Sequence, residues 1–133
     1  MPIPTPLIAV VDDDDALLAS IDSLLRSVGY EAQLFACAED FLASENVDRT
    51  DCLMTDIHMM PGISGLELQN ELANRGYKFP VIFMTAHAEV SVRNQAIDRG
   101  AIGFLVKPFN GQAILDCVED ALTRSNKNTG GNA

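Results

Sequence analysis

Leu7-Ile8-Ala9-Val10-Val11 runs straight into Asp12-Asp13-Asp14-Asp15, and the reading of this junction decides the fold. An unbroken apolar run of that length, with no alternation, describes a strand covered on both faces. Two later junctions repeat the pattern. Cys52-Leu53-Met54-Thr55 stops at Asp56, and Ile102-Gly103-Phe104-Leu105-Val106 stops at Lys107-Pro108. In an open parallel sheet, ligands bind in the crevice beyond the carboxyl ends of the strands. Carboxylates and a lysine delivered there from three strands mark a candidate site.

Outward from these junctions, strand and helix signals alternate five times. After the first strand, Asp14 or Asp15 can cap a helix whose Leu17, Ile21, Leu24 and Val28 recur at helical spacing, stopped by Gly29. A weaker strand (31–36) and a short helix (38–43) follow. Beyond the strand at 52–55, Ser64-Gly65-Leu66-Glu67 reads as a capping box opening a helix with Leu68 and Leu72 on one face. Pro80 to Met84 is the fourth strand and Ile102 to Val106 the fifth. Asn110 caps a last helix with Ile114, Val118 and Leu122 turned inward. A helix over 87–99 carries few apolar residues, among them Val90 and Val92, so it is weakly anchored. From about Ser125 the chain turns polar, ending Asn-Lys-Asn-Thr-Gly-Gly-Asn-Ala, and reads as a disordered tail or the start of a linker. Alternating strands and helices with short loops predict right-handed crossovers and a parallel sheet. The expected fold class is α/β: a five-stranded sheet of order 2-1-3-4-5, doubly wound into a three-layer sandwich of the flavodoxin-like kind.

Composition bounds what such a domain can do. The 133 residues suffice for one domain, and 47% are hydrophobic. No apolar run is long enough to span a bilayer, and no leader pattern opens the chain, so neither a membrane partner nor secretion is expected. Nineteen acidic against nine basic residues give a formal charge of −10. Direct nucleic-acid binding needs a basic footprint, so none is expected of this domain. Cys37, Cys52 and Cys117 are odd in number and widely spaced. That argues against a disulfide framework or zinc site and for a reducing, cytoplasmic setting, with the thiols as small core-filling groups.

The residues also carry a family resemblance. Val10-Val11-Asp12-Asp13, Asp56, Thr85-Ala86 and Lys107-Pro108-Phe109 each end a strand, with 44 residues from Asp12 to Asp56 and 22 from Thr85 to Lys107. In that order and spacing, from about Leu7 to Leu122, the chain resembles the response-regulator receiver domain of bacterial two-component signalling, a CheY-like fold. Cys37-Ala38-Glu39-Asp40-Phe41-Leu42 and Thr85-Ala86-His87-Ala88-Glu89-Val90 look most like the FixJ-type subgroup. The expected organisation is a receiver over 1–124 and a tail or linker over 125–133.

The resemblance implies a phosphorylatable signal-receiving domain rather than an enzyme turning over an external substrate. Asp56 is the expected phosphoacceptor, taking a phosphoryl group from a sensor histidine kinase as a mixed anhydride. Asp12, Asp13 and Asp56 are the expected hard-oxygen ligands of Mg²⁺, with Mn²⁺ as a substitute, and the backbone carbonyl of His58 completes the set. Thr85 is expected to hydrogen-bond a phosphoryl oxygen and Lys107 to neutralise charge; the Lys107–Pro108 bond is a candidate cis peptide. Phe104 stands where receivers carry the aromatic that swings inward on activation. His58 and His87 border the pocket and are expected to tune the lifetime of the aspartyl phosphate; the plainer reading makes them exposed loop residues. Activation is expected to repack the face from His87 to Val106 and promote a homodimer through it, with Val90 and Val92 in contact, controlling an output domain of transcriptional type.

One departure concerns the loop after Asp56. Receivers of this type place proline four and glycine eight residues after the phosphoacceptor; here Pro61 and Gly65 stand at five and nine. The loop at Met59-Met60-Pro61 thus holds one extra residue, and Mg²⁺ is expected to bind still, but more weakly. Three competing classes stay in view. A degenerate receiver would act as a phosphorylation-independent interaction module. A Mg-dependent aspartyl phosphatase would place its nucleophile after the first strand, in an Asp-x-Asp-x-Thr/Val motif that Asp12 to Ala16 does not match. A flavodoxin-like carrier would need a Ser/Thr/Gly-rich phosphate loop where this chain is acidic.

Overall fold

The computed structural model describes residues 5–58, 62–86, 94, 97, 98 and 101–130, the last six by backbone alone. Five strands, β1 (Leu7–Val11), β2 (Glu31–Phe35), β3 (Cys52–Asp56), β4 (Val81–Thr85) and β5 (Gly103–Val106), form one sheet of order β2-β1-β3-β4-β5. Every neighbouring pair is parallel, as the alternation of strands and helices predicts.

The apolar runs explain why both faces of the sheet must be covered. Side chains alternate across a strand, and β1, β3 and β4 are buried along their whole length. On one face Ile8, Val10, Cys52, Met54, Ile82 and Met84 pack with Leu18, Ile21 and Leu25 of α1 (Asp15–Ser27) and Ile114, Val118 and Ala121 of α4 (Gly111–Gly130). On the other, Ala9, Val11, Leu53, Val81 and Phe83 meet Phe41 of α2 (Ala38–Leu42) and Leu68 and Leu72 of α3 (Gly65–Asn74). Each fully buried Leu or Ile contributes roughly 1.5–3 kcal/mol, so these two layers hold the sheet and set its order. Cys52 is buried in the first layer, where desolvation pushes its thiol far up; Cys37 and Cys117 are half-buried, and all three are free.

The helix ends follow the sequence signals. Asp14 caps α1 by accepting from Leu17 N at 3.1 Å. Ser64 and Glu67 form the expected capping box of α3. Asn110 accepts from Ala113 N at 2.8 Å at the start of α4. One expectation needs correcting: α4 continues to Gly130, so 125–130 extends the helix where the polar composition predicts a coil. Among the described residues no helix is long and apolar enough to cross a membrane.

Candidate functional site

The order β2-β1-β3 puts the topological switch point between β1 and β3, and the register pairs Val11 with Thr55. The next residue of each strand therefore emerges at the same edge: Asp12 from β1 and Asp56 as the last residue of β3. Thr85 ends β4 opposite Val106, and Lys107 follows. Its backbone N–H donates to Thr85 O at 2.7 Å, which ties the two strand ends together, and the Lys107–Pro108 bond is cis. Asp12, Asp56, Thr85 and Lys107, far apart in sequence, thus stand at one edge of the sheet.

Lys107 is the hub. Its Nζ donates to Asp12 Oδ2 at 2.8 Å and to Asp56 Oδ2 at 3.1 Å, across 95 and 51 residues of sequence. Asp12 is wholly buried, Asp56 nearly so, and Lys107 partly exposed. Asp13 is exposed at the rim, and Asp12, Asp13 and Asp56 each present a carboxylate oxygen such that all three lie within 4.8 Å of one another. The remaining oxygens are oriented by backbone: Asp12 Oδ1 accepts from Asp14 N at 2.9 Å, and Asp56 Oδ1 from His58 N at 3.2 Å.

The ion pair is lopsided. Burial raises the Asp12 carboxyl above its ordinary value, and the neighbouring Asp56 charge adds to this; the bonds from Lys107 and Asp14 only partly offset them. For Lys107, burial pulls the ammonium down but is outweighed by Asp12 and Asp56, which hold it above the ordinary lysine value. Three carboxylates facing one ammonium leave an excess of negative charge in a partly dry cup. All-oxygen, acidic and open on the Asp13 side, this donor set fits a small hard dication and suits Mg²⁺ better than a soft metal.

The loop after β3 packs tightly on the site. Gly65 N donates to Ile57 O at 2.9 Å. A Cβ on Gly65 would overlap the Asp56 carbonyl oxygen and stand 3.1 Å from Ile57 Cα. Only glycine lets α3 start this close to the strand that carries Asp56. Thr85 is buried and Phe104, paired with Phe83 in the register, is half-buried against the second core layer. His58 is exposed. His87, Val90, Val92 and the extra-residue positions 59–61 lie outside the described residues. Glu39 is the contact that sequence alone does not single out: its carboxylate reaches the loop at Ile63, and nothing in Cys37 to Leu42 beyond the pattern of the run marks it.

Sheet order and site together define a doubly wound α/β domain with a lysine-bridged acidic cup at its switch point. The profile of the response regulator receiver domain matches residues 8–119, and the chain belongs to that family. The transcriptional regulatory protein FixJ of Azorhizobium caulinodans is 45% identical over 117 residues, 87% of this chain and 54% of that protein. Nodulation protein W of Bradyrhizobium diazoefficiens is 40% identical over 121 residues, 91% of this chain and 53% of that one. The solved structure of response regulator StyR superposes with a TM-score of 0.86 at 38% identity, covering 97% of this chain and 65% of that chain. The chain spans about half the length of the curated relatives it matches.

Proposed function

We propose that Asp56 accepts a phosphoryl group from a sensor histidine kinase and that the resulting change controls a transcriptional output. The observation that carries this reading is the Lys107 ammonium held between Asp12 and Asp56, beside Asp13. A carboxylate nucleophile must approach an anionic phosphoryl group, and positioning with charge neutralisation is most of what such a transfer requires. Asp56 attacks phosphorus as the bond to the donor imidazole breaks, leaving an acyl phosphate on β3 and a neutral histidine on the kinase. Lys107, already 3.1 Å from Asp56 Oδ2, meets the charge spread over the transferred oxygens. Thr85, at the end of the adjoining strand, offers a hydroxyl donor to one of them.

Asp12, Asp13, Asp56 and the His58 carbonyl are assigned to Mg²⁺, with Mn²⁺ able to replace it. When bound, the dication supplies positive charge to the phosphoryl oxygens and relieves the repulsion among the carboxylates. His58, exposed two residues after Asp56, is assigned a role in setting the lifetime of the acyl phosphate, and His87 the same by its place after Thr85. Phe104 lies beside β4 in register with Phe83, which suits a ring that follows Thr85 on activation. The exposed apolar side chains of Ile97 and Val106 support a homodimer contact on the face spanning 87–106. The −10 charge supports leaving DNA contact to another domain, reached through the segment after residue 124, and the setting is assigned as cytoplasmic. Receiver domains in general do not turn over external substrates, and none is assigned here.

The test is incubation with acetyl phosphate and Mg²⁺, followed by intact mass measurement. One added phosphoryl group that needs the metal supports the reading. An unchanged mass marks a phosphorylation-independent module, and steady hydrolysis of a phosphate ester marks a phosphatase; either result overturns it.

A further inference from the structure

Glu39 lies in the first turn of α2, exposed and outside the acidic cup. Its Oε2 accepts the backbone N–H of Ile63 at 2.9 Å, 24 residues further along the chain. A second feature points to the same contact. Gly62 has φ +117°, and a Cβ there would stand 2.8 Å from both Glu39 carboxylate oxygens. The chain passes directly against the carboxylate, in a conformation that side chains rarely adopt. Bonds from Ile63 N–H, from the Glu39 backbone and from the Cys37 side chain together hold the Glu39 carboxyl below its ordinary value.

The contact sits at a sensitive place. Ile63 precedes Ser64, whose capping box fixes the start of α3, and Gly65 N is bonded to Ile57 O. The far end of the β3–α3 connection is therefore fastened to α2, to α3 and to Ile57 just past the end of β3. At its near end, His58 N is bonded to Asp56 Oδ1, and the His58 carbonyl is the one assigned to the metal. We infer that Glu39 is a positioning residue: its carboxylate latches Ile63 to α2 and, through the adjoining bond from Gly65 N–H to Ile57 O, steadies the end of β3 that presents the His58 carbonyl to the acidic cup. The role rests on the reading of that cup as a magnesium site.

Charge and latch are separable, because glutamine keeps the acceptor oxygen and loses the charge. The test is calorimetric Mg²⁺ titration of the full chain, its Glu39→Ala and its Glu39→Gln variants, with amide hydrogen exchange at Ile63 in metal-free protein. Glu39→Ala is expected to weaken Mg²⁺ about fivefold, as loss of a backbone-to-carboxylate bond implies, and to speed Ile63 exchange about tenfold. Glu39→Gln is expected to stay within about twofold of the parent in both. Unchanged Mg²⁺ affinity or unchanged Ile63 exchange in Glu39→Ala overturns the latch. Equal Mg²⁺ losses in both variants also overturn it, since they would trace to the charge alone. If the parent chain itself binds no Mg²⁺, the magnesium reading fails and the latch's role in it falls too; parent binding with no effect of Glu39→Ala sinks the latch alone.

Discussion

Replacing Asp12 by asparagine should stabilise the metal-free protein while weakening its response to magnesium. Asp12 is wholly buried, accepts from Lys107 Nζ at 2.8 Å and from Asp14 N at 2.9 Å, and faces the Asp56 charge. Its carboxyl is raised above 3.8 in the folded state, with burial the largest cause, so the folded chain holds that proton more tightly than the unfolded chain does. At neutral pH the charged form therefore costs stability, and the cost is relieved as pH falls through the folded value toward 3.8. Asparagine removes both the buried charge and its repulsion with Asp56. It keeps one acceptor oxygen, and Lys107 is not stranded, because Asp56 remains 3.1 Å away. Neutralising part of a buried charge cluster under those conditions stabilises by about 1–2 kcal/mol. For a chain of this length that is about 4–7 °C in Tm. The comparison is thermal unfolding in EDTA at pH 7, then at falling pH, then with Mg²⁺. The Asn advantage should shrink as the solution becomes acidic. A cation at tenfold its Kd should raise the parent by about 1.4 kcal/mol and the variant by much less. An Asp12→Asn protein less stable than the parent in EDTA at pH 7 would mean that the Lys107 ion pair outweighs burial, and the electrostatic reasoning would be wrong.

Other perturbations probe separate links. Gly65→Ala places a Cβ on the Asp56 carbonyl, and overpacking of this kind costs about 1–3 kcal/mol; urea unfolding at parental stability would show that α3 can simply step away. Ser64→Ala removes one half of the capping box and should lose about 1 kcal/mol by the same assay. Lys107→Met leaves Asp12 and Asp56 facing each other and should cost about 2 kcal/mol at pH 7. Because Lys107 is held above its ordinary 10.5 in the fold, its contribution is complete below 10.5 and is lost as pH rises from there through the higher folded value. The difference between parent and Lys107→Met should hence narrow in alkaline solution, and a constant gap would contradict the assignment.

The legibility of this chain follows from where its signals are local. Strands β1, β3 and β4 are buried on both faces, so Leu7 to Val11, Cys52 to Thr55 and Val81 to Met84 announce themselves as apolar runs. Asp12 and Asp56 stop the first two runs, Thr85 ends the third and Lys107 follows β5, so all four fall at the carboxyl edge of the sheet and could be placed together from sequence. The capping box at Ser64 and the Asn110 cap were equally local. What resisted reading depended on packing or on propensity being overridden. Gly65 shows only a glycine in sequence; that its missing side chain makes room for the Asp56 carbonyl is a tertiary fact. Glu39 looks like any solvated carboxylate until the loop 24 residues later comes to meet it. The polar stretch after Ser125 holds one strong helix former, Lys127, among Asn, Thr and Gly, yet α4 carries on to Gly130 because an anchored helix extends one backbone bond at a time without a new nucleus.

The central claim is that Asp56 carries a labile phosphoryl group in a cup built with Asp12, Asp13 and Lys107. Its most direct measurement is borohydride reduction of protein treated with acetyl phosphate and Mg²⁺, followed by peptide sequencing in a mass spectrometer. Conversion of the acyl phosphate to homoserine at position 56, absent with EDTA and absent in Asp56→Asn, is the expected result. Reduction at another carboxylate, or none in a protein shown to bind Mg²⁺, would contradict it.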